Sequence, residues 1–317
     1  MNFLLLLGGL AILLIAGELL VRGATALALR FKISTLVVGV TVVSFGTSAP
    51  ELVISLKAAL TGHPDISIGN IIGSNIANLA LVLGLTAAIF HINVSKNSIK
   101  IDWPVMMIAS LVFTWFIWDG ALVMWEGIVF LAALTVFVTW LIRKSRKDEI
   151  ARADDQKKFI EDQSHSSIPK ISAYLIVGCI GLAFGAEWLV QGAIGIAESM
   201  GISEAVISLT VIAFGTSVPE LATSIIALVK KESDISIGNL IGSNIFNILG
   251  ILGITALFTE ISGFDPRLLN YDIWWMLGIS FIVLVFMISH QQIRRGEGIA
   301  MLALYFVYIA TIALNIV

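Results

Sequence analysis

Long runs of apolar residues, separated by short polar segments, recur along almost the whole chain. Each run approaches the ~20 residues that a helix needs to cross the hydrocarbon core of a bilayer. A transmembrane β-barrel would instead show strands of ~10 residues with alternating polarity, so this pattern excludes it. The pattern predicts an all-α integral membrane protein with ten transmembrane helices, at residues 3–30, 34–60, 66–91, 103–119, 122–142, 171–199, 204–229, 235–259, 271–290 and 298–317.

One hydrophilic segment interrupts this series near the middle of the chain. Residues 144–169 are dense in Lys, Arg, Asp and Glu. They predict a linker between two halves of five helices each, residues 1–143 and 170–317. A segment of about 26 residues is too short to bury a core, and it has no EF-hand spacing, so we interpret it as a plain connector.

The composition agrees with a membrane protein and excludes other functions. Hydrophobic residues make up 58% of the 317 residues, charged residues only 13%, and the mean hydropathy is +0.97. A soluble domain would have roughly a quarter charged residues. The net charge of −3 is too small to predict nucleic acid as a partner, and the single cysteine, Cys179, cannot form an internal disulfide. The expected environment is the lipid bilayer.

The positions of the basic residues predict the orientation in the membrane, because cytoplasmic loops retain Lys and Arg during insertion. Sixteen of the 19 basic residues lie in the first, third, fifth, seventh and ninth connections. Only Lys57 and Arg267 lie in the even connections, and Arg22 lies inside the first span. We therefore predict a protein of the plasma (inner) membrane with both termini outside and the linker in the cytoplasm.

Three segments occur twice at one fixed offset. DISIGNIIGSNIAN at 65–78 returns as DISIGNLIGSNIFN at 234–247, shifted by 169 residues and identical at 12 of 14 positions. The same shift relates two further pairs, SFGTSAPE at 44–51 with AFGTSVPE at 213–220, and GELLVRGA at 17–24 with AEWLVQGA at 186–193. Because each half has an odd number of spans, the second half enters the membrane with inverted polarity. Inverted repeats are typical of secondary transporters, which bind substrate at the midplane between broken helices.

Each copy of the GTSxPE motif places a proline inside a predicted span. Pro50 has no N–H and its ring displaces the carbonyl of Gly46, and Pro219 acts in the same way on Gly215. The motif therefore predicts a broken helix in each half. Carbonyl groups freed at membrane depth are tolerated where they line a cavity. Here they lie beside a duplicated set of oxygen-bearing side chains: Thr47, Ser48 and Glu51, with Thr216, Ser217 and Glu220.

The GNxxGSNxxN motif adds a polar stripe on the following helix. Residues four apart lie on one helix face. This spacing groups Asn70, Ser74 and Asn78 in the first half and Asn239, Ser243 and Asn247 in the second. We interpret Asn75 and Asn244 as residues that hydrogen-bond between helices. The two motifs together predict a pocket rich in oxygen atoms.

The chemistry of this pocket indicates a hard cation. Charges buried in a membrane are costly, and no Lys or Arg stands at a repeated position near Glu51 or Glu220, so a functional role is the default interpretation. Ca2+ prefers six to eight flexible oxygen ligands, and Na+ accepts the same neutral oxygens. Neither motif contains the Cys or His that soft metals prefer. Two carboxylates balance one Ca2+ or two Na+, so one pocket can hold either in turn.

With these motifs the sequence resembles the calcium/cation antiporter superfamily and, within it, the sodium/calcium exchanger family. The resemblance covers two halves of five spans, a central loop, and the paired motifs GTSxPE and GNxxGSNxxN. It implies ion ligands at the matching positions of this chain. These are the backbone carbonyls of Ser44 and Ala213 and the side chains of Thr47, Ser48, Glu51, Ser74, Asn78, Thr216, Ser217, Glu220, Ser243 and Asn247.

Two departures affect what the resemblance implies. Some relatives have Asp where this chain has Asn247, which leaves the sodium stoichiometry and potassium dependence open. Glu18 and Glu187 also repeat, but Glu18 has Arg22 four residues on, where Glu187 has Gln191. The resemblance implies that the helices carrying these glutamates slide during alternating access. A gating or structural role is therefore favoured over ion ligation for both.

The predicted function is secondary active exchange of Ca2+ for Na+. We expect it to be electrogenic, because the neutral oxygens leave room for Na+ beyond the two ions that the carboxylates balance. No enzymatic activity and no resident cofactor are expected, since the four His lie outside the motifs and no ATP-binding loop is present. Proton- or potassium-coupled exchange stays open, and a cation channel is a weaker alternative. We expect a functional monomer with Ca2+ and Na+ as its ionic partners.

Overall fold

The computed structural model describes residues 1–153, 167–200 and 215–314, which are predominantly helical. The helices are α1 (Asn2–Phe31), α2 (Thr35–Thr47), α3 (Ala49–Leu60), α4 (Pro64–Ile89), α5 (Ser98–Asp119), α6 (Met124–Ala153), α7 (Ile168–Ser199), α8 (Val218–Val229), α9 (Ser233–Phe258), α10 (Leu268–His290) and α11 (Arg295–Ala313). Four strands of two residues are β1 (Ile92–Asn93), β2 (Ala121–Leu122), β3 (Ile261–Ser262) and β4 (Gln292–Ile293).

The described ranges contain eight helices that are long and apolar enough to cross a bilayer, and the bent pair α2–α3 adds a ninth. The helical membrane fold expected from the apolar runs is confirmed. The span expected at 204–229 lies partly outside the described residues, and its described part includes the 12-residue helix α8. The number of ten spans therefore stays a prediction.

Helix ends and apolar runs do not coincide around the polar segment at 144–169. α6 continues to Ala153, past the end of the apolar run at 142, and α7 already begins at Ile168. The segment expected to be a linker is thus helical at both of its ends. A helix already formed in the membrane extends readily into water, because each added residue forms one more backbone hydrogen bond. Hydropathy marks the membrane boundary and not the end of the helix.

The two most buried spans are α4 and α9, which carry the GNxxGSNxxN motifs. In each, 83% of the apolar window is buried within the protein, compared with 22–44% in the other spans. Large apolar side chains on the outer helices, such as Trp115, Val136 and Phe306, are more than half exposed and suit contact with lipid. The repeated polar motifs therefore lie at the centre of the protein.

α1 and α7 pack against each other along much of their length, and glycines line their contact. Gly178, Gly185 and Gly192 lie seven residues apart on α7 and meet the backbone or first side-chain atoms of α1. A methyl group added at Gly9 of α1 would lie 2.5 Å from the backbone nitrogen of Leu189. Close backbone approach through small residues is a main source of helix association in lipid, where apolar burial contributes little.

Two antiparallel strand pairs, which the sequence analysis did not predict, join loops at the helix ends. Ile92 of β1 lies opposite Ile293 of β4, and Leu122 of β2 lies opposite Ile261 of β3. All four side chains are at most 1% exposed. The pairs satisfy backbone N–H and C=O groups. Since α5 runs from β1 to β2 and α10 from β3 to β4, the pairs tie these two helices together at both ends.

The glycine contact makes a testable prediction. Gly9→Ala places a methyl group against the α7 backbone, so we expect α1 and α7 to separate and the free energy of unfolding to fall by about 1–3 kcal/mol. The matched control is Gly278→Ala in α10, where an added methyl group meets no described heavy atom within 4 Å. Thermal unfolding of the purified protein in detergent measures both. Equal Tm values for the two variants would contradict the close contact.

Candidate functional site

The first GTSxPE motif breaks its span as expected. α2 ends at Thr47, α3 begins at Ala49, and the two helix axes meet at 48°. Ser48 stands between them with φ −87° and ψ 7°. Pro50 lies in the first turn of α3, where its missing N–H costs no helical hydrogen bond. The break directs the start of α3 toward the centre of the protein.

The second motif has the same local geometry. Helix α8 begins at Val218 with Pro219 in its first turn, and Ser217 precedes it with φ −90° and ψ 3°. These angles match those of Ser48 within a few degrees. Ala213, which the resemblance implies as a carbonyl ligand, lies outside the described residues. The two halves therefore present equivalent helix starts in the part that the structure describes.

Glu51 and Glu220 occupy the first turns of α3 and α8. Their side chains are 1% and 0% exposed. Negative charge is stabilised at a helix start by the free backbone N–H groups and the helix dipole. The Ser48 hydroxyl donates a hydrogen bond of 3.2 Å to Oε1 of Glu220, which joins the two halves. Both carboxylates thus belong to one buried centre.

Helix α9 lies against this centre and contacts it through Asn239 and Ser243. The Thr47 hydroxyl donates to Oδ1 of Asn239 at 3.0 Å and lies 3.4 Å from the hydroxyl of Ser243. Ser243 in turn donates to Oε1 of Glu220 at 3.5 Å. Thr47 lies 192 and 196 residues from Asn239 and Ser243 in the sequence, yet these side chains and Glu220 form one chain of contacts. The break in α2–α3 is held against α9 by hydroxyl and amide groups.

Asn78 and Asn247 lie where α4 and α9 change their winding. Both residues fall in π-helical turns, Ala77–Val82 and Phe246–Leu252, a feature frequent at functional sites. Their amide nitrogens donate to Asn244 and Asn75, at 3.1 and 3.0 Å, so each half binds the other. The interhelical hydrogen bonds expected of Asn75 and Asn244 are present.

The other expected ligands differ in their surroundings. The Ser44 carbonyl accepts hydrogen bonds from the backbone N–H of Ser48 at 2.9 Å and from the Thr47 hydroxyl at 3.3 Å. Ser74 and Ser217 are buried, and their hydroxyl oxygens have no hydrogen-bond partner among the described residues. Thr216 is half-buried in the turn before α8. The contacts of Ser48 with Glu220 and of Thr47 with Asn239 and Ser243 therefore bring hydroxyl, amide and carboxylate groups of both halves together.

Buried side-chain nitrogen or oxygen atoms without a hydrogen-bond partner are all oxygens in the described part of the chain. Six of them belong to expected ligands, namely one carboxylate oxygen each of Glu51 and Glu220, the amide oxygens of Asn78 and Asn247, and the hydroxyls of Ser74 and Ser217; the others belong to Ser67, Asp102, Thr223, Ser236 and Thr255. An unsatisfied buried polar atom costs about 1–3 kcal/mol. A hard cation satisfies several oxygens at once. The donor set fits Ca2+ or Na+.

Sequence reasoning missed two serines that support the centre. Asn70 donates to the Ser55 hydroxyl at 2.8 Å, and Asn239 donates to the Ser224 hydroxyl at 3.4 Å. These bonds tie α3 to α4 and α8 to α9. Ser55 and Ser224 are themselves separated by the repeat offset of 169. That duplication was the available signal.

Glu18 lies on α1 and Glu187 on α7, and each carboxylate interacts with polar side chains. Glu18 pairs with Arg22 and, at 2.7 Å, with Lys230 at the end of α8. Glu187 accepts a hydrogen bond of 3.1 Å from Gln191. The spacing of Glu18 and Arg22 in the sequence predicts their intrahelical pair. The pair of Glu18 with Lys230 depends on the tertiary structure and was not predicted. The ion pair links α1 to the helix that carries Glu220.

The fold and the site define a helical integral membrane protein that buries carboxylate, hydroxyl and amide side chains at its centre. The sequence model of the family described as "Sodium/calcium exchanger protein" matches residues 1–143 and 170–314. The chain therefore belongs to the sodium/calcium exchanger family, a family of ion-transporting antiporters, as its motifs indicate.

Individual relatives cover nearly the whole chain. The sodium/calcium exchanger MaX1 of Methanosarcina acetivorans is 30% identical, over 98% of this chain and 98% of the relative. The inner membrane protein YrbG of Escherichia coli is 34% identical, over 96% and 95%. A solved structure of the sodium-calcium exchanger NCX_Mj superimposes with a TM-score of 0.81 at 33% identity and covers 98% of both chains. These similarities support cation exchange with calcium as one of the ions.

The contact between Thr47 and α9 makes a second prediction. Thr47→Val keeps the side-chain shape but removes the hydrogen donated to Asn239, so a buried oxygen loses its donor. We expect a loss of about 1–3 kcal/mol in the free energy of unfolding. The control is Thr135→Val, because the exposed Thr135 hydroxyl only donates to Leu131 of its own helix, at 2.7 Å. A control variant destabilised as much as Thr47→Val in thermal unfolding would contradict the role of this contact.

Proposed function

We propose that this protein exchanges Ca2+ for Na+ across the plasma (inner) membrane by alternating access. The observation that carries the proposal is the joint burial of Glu51 and Glu220 among oxygens that have no partner in the described part of the chain. Two carboxylates neutralise one Ca2+ or two Na+. Competition between the two ions for one centre is what exchange requires.

The proposed ion ligands are the residues that the motifs indicate. They are the backbone carbonyls of Ser44 and Ala213 and the side chains of Thr47, Ser48, Glu51, Ser74, Asn78, Thr216, Ser217, Glu220, Ser243 and Asn247. Carboxylate, amide, hydroxyl and carbonyl oxygens are the ligands that Ca2+ takes in flexible geometry. The six unpartnered oxygens among these residues support this set.

The strand pairs support the inverted ten-helix repeat that alternating access needs. β1 and β3 are related by the repeat offset, and each pairs with a strand of the other half. If the two halves are exchanged, β1 takes the place of β3 and β4 takes the place of β2. The pair β1–β4 then coincides with the pair β3–β2. Because these pairs lie at opposite ends of α5, the exchange also swaps the two faces of the membrane. A two-fold axis in the membrane plane has this effect.

We further propose that α1 and α7 move together between the two end states. Their glycine contact is close, while Cys179 of α7 faces Gly46 at the helix break and Gly17 of α1 faces Ile226 of α8. The pair thus touches the break between α2 and α3 and the helix α8. A displacement of the pair along its own axis would open one side of the centre and close the other.

The orientation proposed for the chain rests on its basic residues. The face that carries β1 and β4 also carries Lys96 and Arg294, next to the two strands. Because cytoplasmic loops are enriched in Lys and Arg, this charge distribution supports a cytoplasmic location for that face. Both termini then lie outside, and transport through the centre extrudes Ca2+ when Na+ enters.

Neutralising either carboxylate tests the centre. We expect Glu51→Gln and Glu220→Gln to reduce exchange at least about 100-fold, a loss of about 2.8 kcal/mol in ion binding. Folding should be retained, because removal of a buried charge relieves its desolvation. The measurement is uptake of radiolabelled Ca2+ into proteoliposomes with an outward Na+ gradient.

The matched control for these variants is Glu126→Gln. Glu126 is also a buried carboxylate, 5% exposed, but it accepts a hydrogen bond of 2.9 Å from the backbone N–H of Val123 outside the centre. A glutamine oxygen accepts the same bond, so uptake should stay close to that of the unmodified protein. Normal uptake by Glu51→Gln or Glu220→Gln would refute the proposed site.

Coupling to Na+ should be electrogenic. The neutral oxygens around the carboxylates provide a place for Na+ beyond the two ions that balance one Ca2+, so each cycle would carry net charge inward. Each transported charge is worth ~2.3 kcal/mol per 100 mV of membrane potential. An inside-negative potential should therefore accelerate Na+ entry and Ca2+ exit.

The measurement is Na+-driven Ca2+ flux in liposomes whose potential is set with valinomycin and potassium. An initial rate that does not respond to voltage would argue for electroneutral exchange. Ca2+ flux without any Na+ dependence, tested with proton and potassium gradients imposed separately, would point to another coupling ion.

A further inference from the structure

Four asparagines of α4 and α9 form a network between the two halves of the protein. Asn78 donates to Oδ1 of Asn244 at 3.1 Å, and Asn247 donates to Oδ1 of Asn75 at 3.0 Å. Asn244 and Asn75 donate in turn to each other's backbone carbonyls, at 3.2 and 3.5 Å. All four side chains are at most 1% exposed. The network is therefore sheltered from water.

The backbone carbonyls determine which way each amide points. A carbonyl oxygen only accepts hydrogen bonds, so Asn75 must direct its nitrogen toward the carbonyl of Asn244. The Met276 sulfur, a second acceptor, lies 3.7 Å from the same nitrogen. The oxygen of Asn75 is then left to face Asn247. The same reasoning, applied to the other half, turns the oxygen of Asn244 toward Asn78.

This orientation is transmitted to the two residues of the centre. Asn78 and Asn247 must offer their nitrogens to the oxygens of Asn244 and Asn75. Their own Oδ1 atoms consequently point elsewhere, and neither has a hydrogen-bond partner among the described residues. The network thus converts two amides, which have both donor and acceptor ends, into oxygen ligands of fixed orientation.

We propose, building on the exchange function above, that Asn75 and Asn244 are positioning residues that hold Asn247 and Asn78 with their oxygens toward the transported cation. Asn75 also favours an uncharged side chain over a carboxylate at position 247. A carboxylate there has no hydrogen to donate, so two acceptors would face each other. Rotating the Asn75 amide would bring its oxygen against the carbonyl of Asn244. The centre therefore keeps two carboxylates.

A double-mutant cycle tests this selection. In the native background, Asn247→Asp should raise the KM for Ca2+ about tenfold or more, the effect of about 1.4 kcal/mol. In the Asn75→Ala background the opposing acceptor is gone, so the same change should lower KM, because it adds negative charge next to the cation. Asn75→Ala alone should raise KM about three- to tenfold, with kcat within about twofold. A general structural defect would not reverse the direction of the KM change that Asn247→Asp causes.

Thermal unfolding in Ca2+-free detergent provides a readout that does not depend on transport. Asn247→Asp should lower the Tm in the native background and have little effect after Asn75→Ala. The pair Asn78→Asp and Asn244→Ala should behave in the same way, and Asn270→Ala, an exposed amide of α10, serves as the control. If Asn75→Ala does not fold, Asn75→Ser, which also lacks the amide oxygen, replaces it.

Additive effects of Asn247→Asp and Asn75→Ala on both KM and Tm, with normal uptake by the unmodified protein, would overturn this inference alone. Absence of Ca2+ uptake by the unmodified protein would overturn the proposed function, and the ion-positioning role with it. Reversal of the sign of the KM change, together with suppression of the Tm change, is the expected result.

Discussion

The cost of holding two carboxylates away from water governs the rest of this structure. Glu51 and Glu220 are at most 1% exposed, so their charges require compensation within the protein. The helix starts supply part of it, because free N–H groups at the starts of α3 and α8 face negative charge. In the function proposed above, a cation supplies the remainder. The deeply buried helices α4 and α9 then add neutral oxygens around it.

Local chemistry made much of this centre predictable. Proline acts on a defined neighbour, the carbonyl four residues earlier, so Pro50 located the break between Thr47 and Ala49 to within a residue. Hydropathy located most of the membrane helices, and the repeat offset indicated that Glu51 and Glu220 are equivalent. The family similarity is consistent with these features. The proline effect and hydropathy each depend on only a few neighbouring residues. The repeat offset needs only a comparison of the sequence with itself.

Contacts between helices distant in sequence were not predictable in this way. The pairing of Asn78 with Asn244, the pairing of β1 with β4, and the ion pair of Lys230 with Glu18 depend on how far each helix is shifted and rotated against another. Packing decides these quantities, and a hydropathy pattern contains little information about them. The extension of α6 through Ala153 also escaped prediction, because helix propagation in water does not depend on apolar residues.

The two halves share their ligands but not all of their supporting contacts, and this difference has an energetic consequence. Glu18 binds Lys230 at 2.7 Å, whereas its repeat counterpart Glu187 binds Gln191, and the counterpart of Lys230 is Thr61. In the inverted repeat proposed for this protein, the two end states are related by exchanging the conformations of the halves. A contact that both halves can make leaves the balance between those states unchanged. A contact that only one half can make stabilises the state in which it forms. In the proposed mechanism, duplicated ligands would therefore preserve the ion site, while unduplicated ion pairs would set the resting conformation.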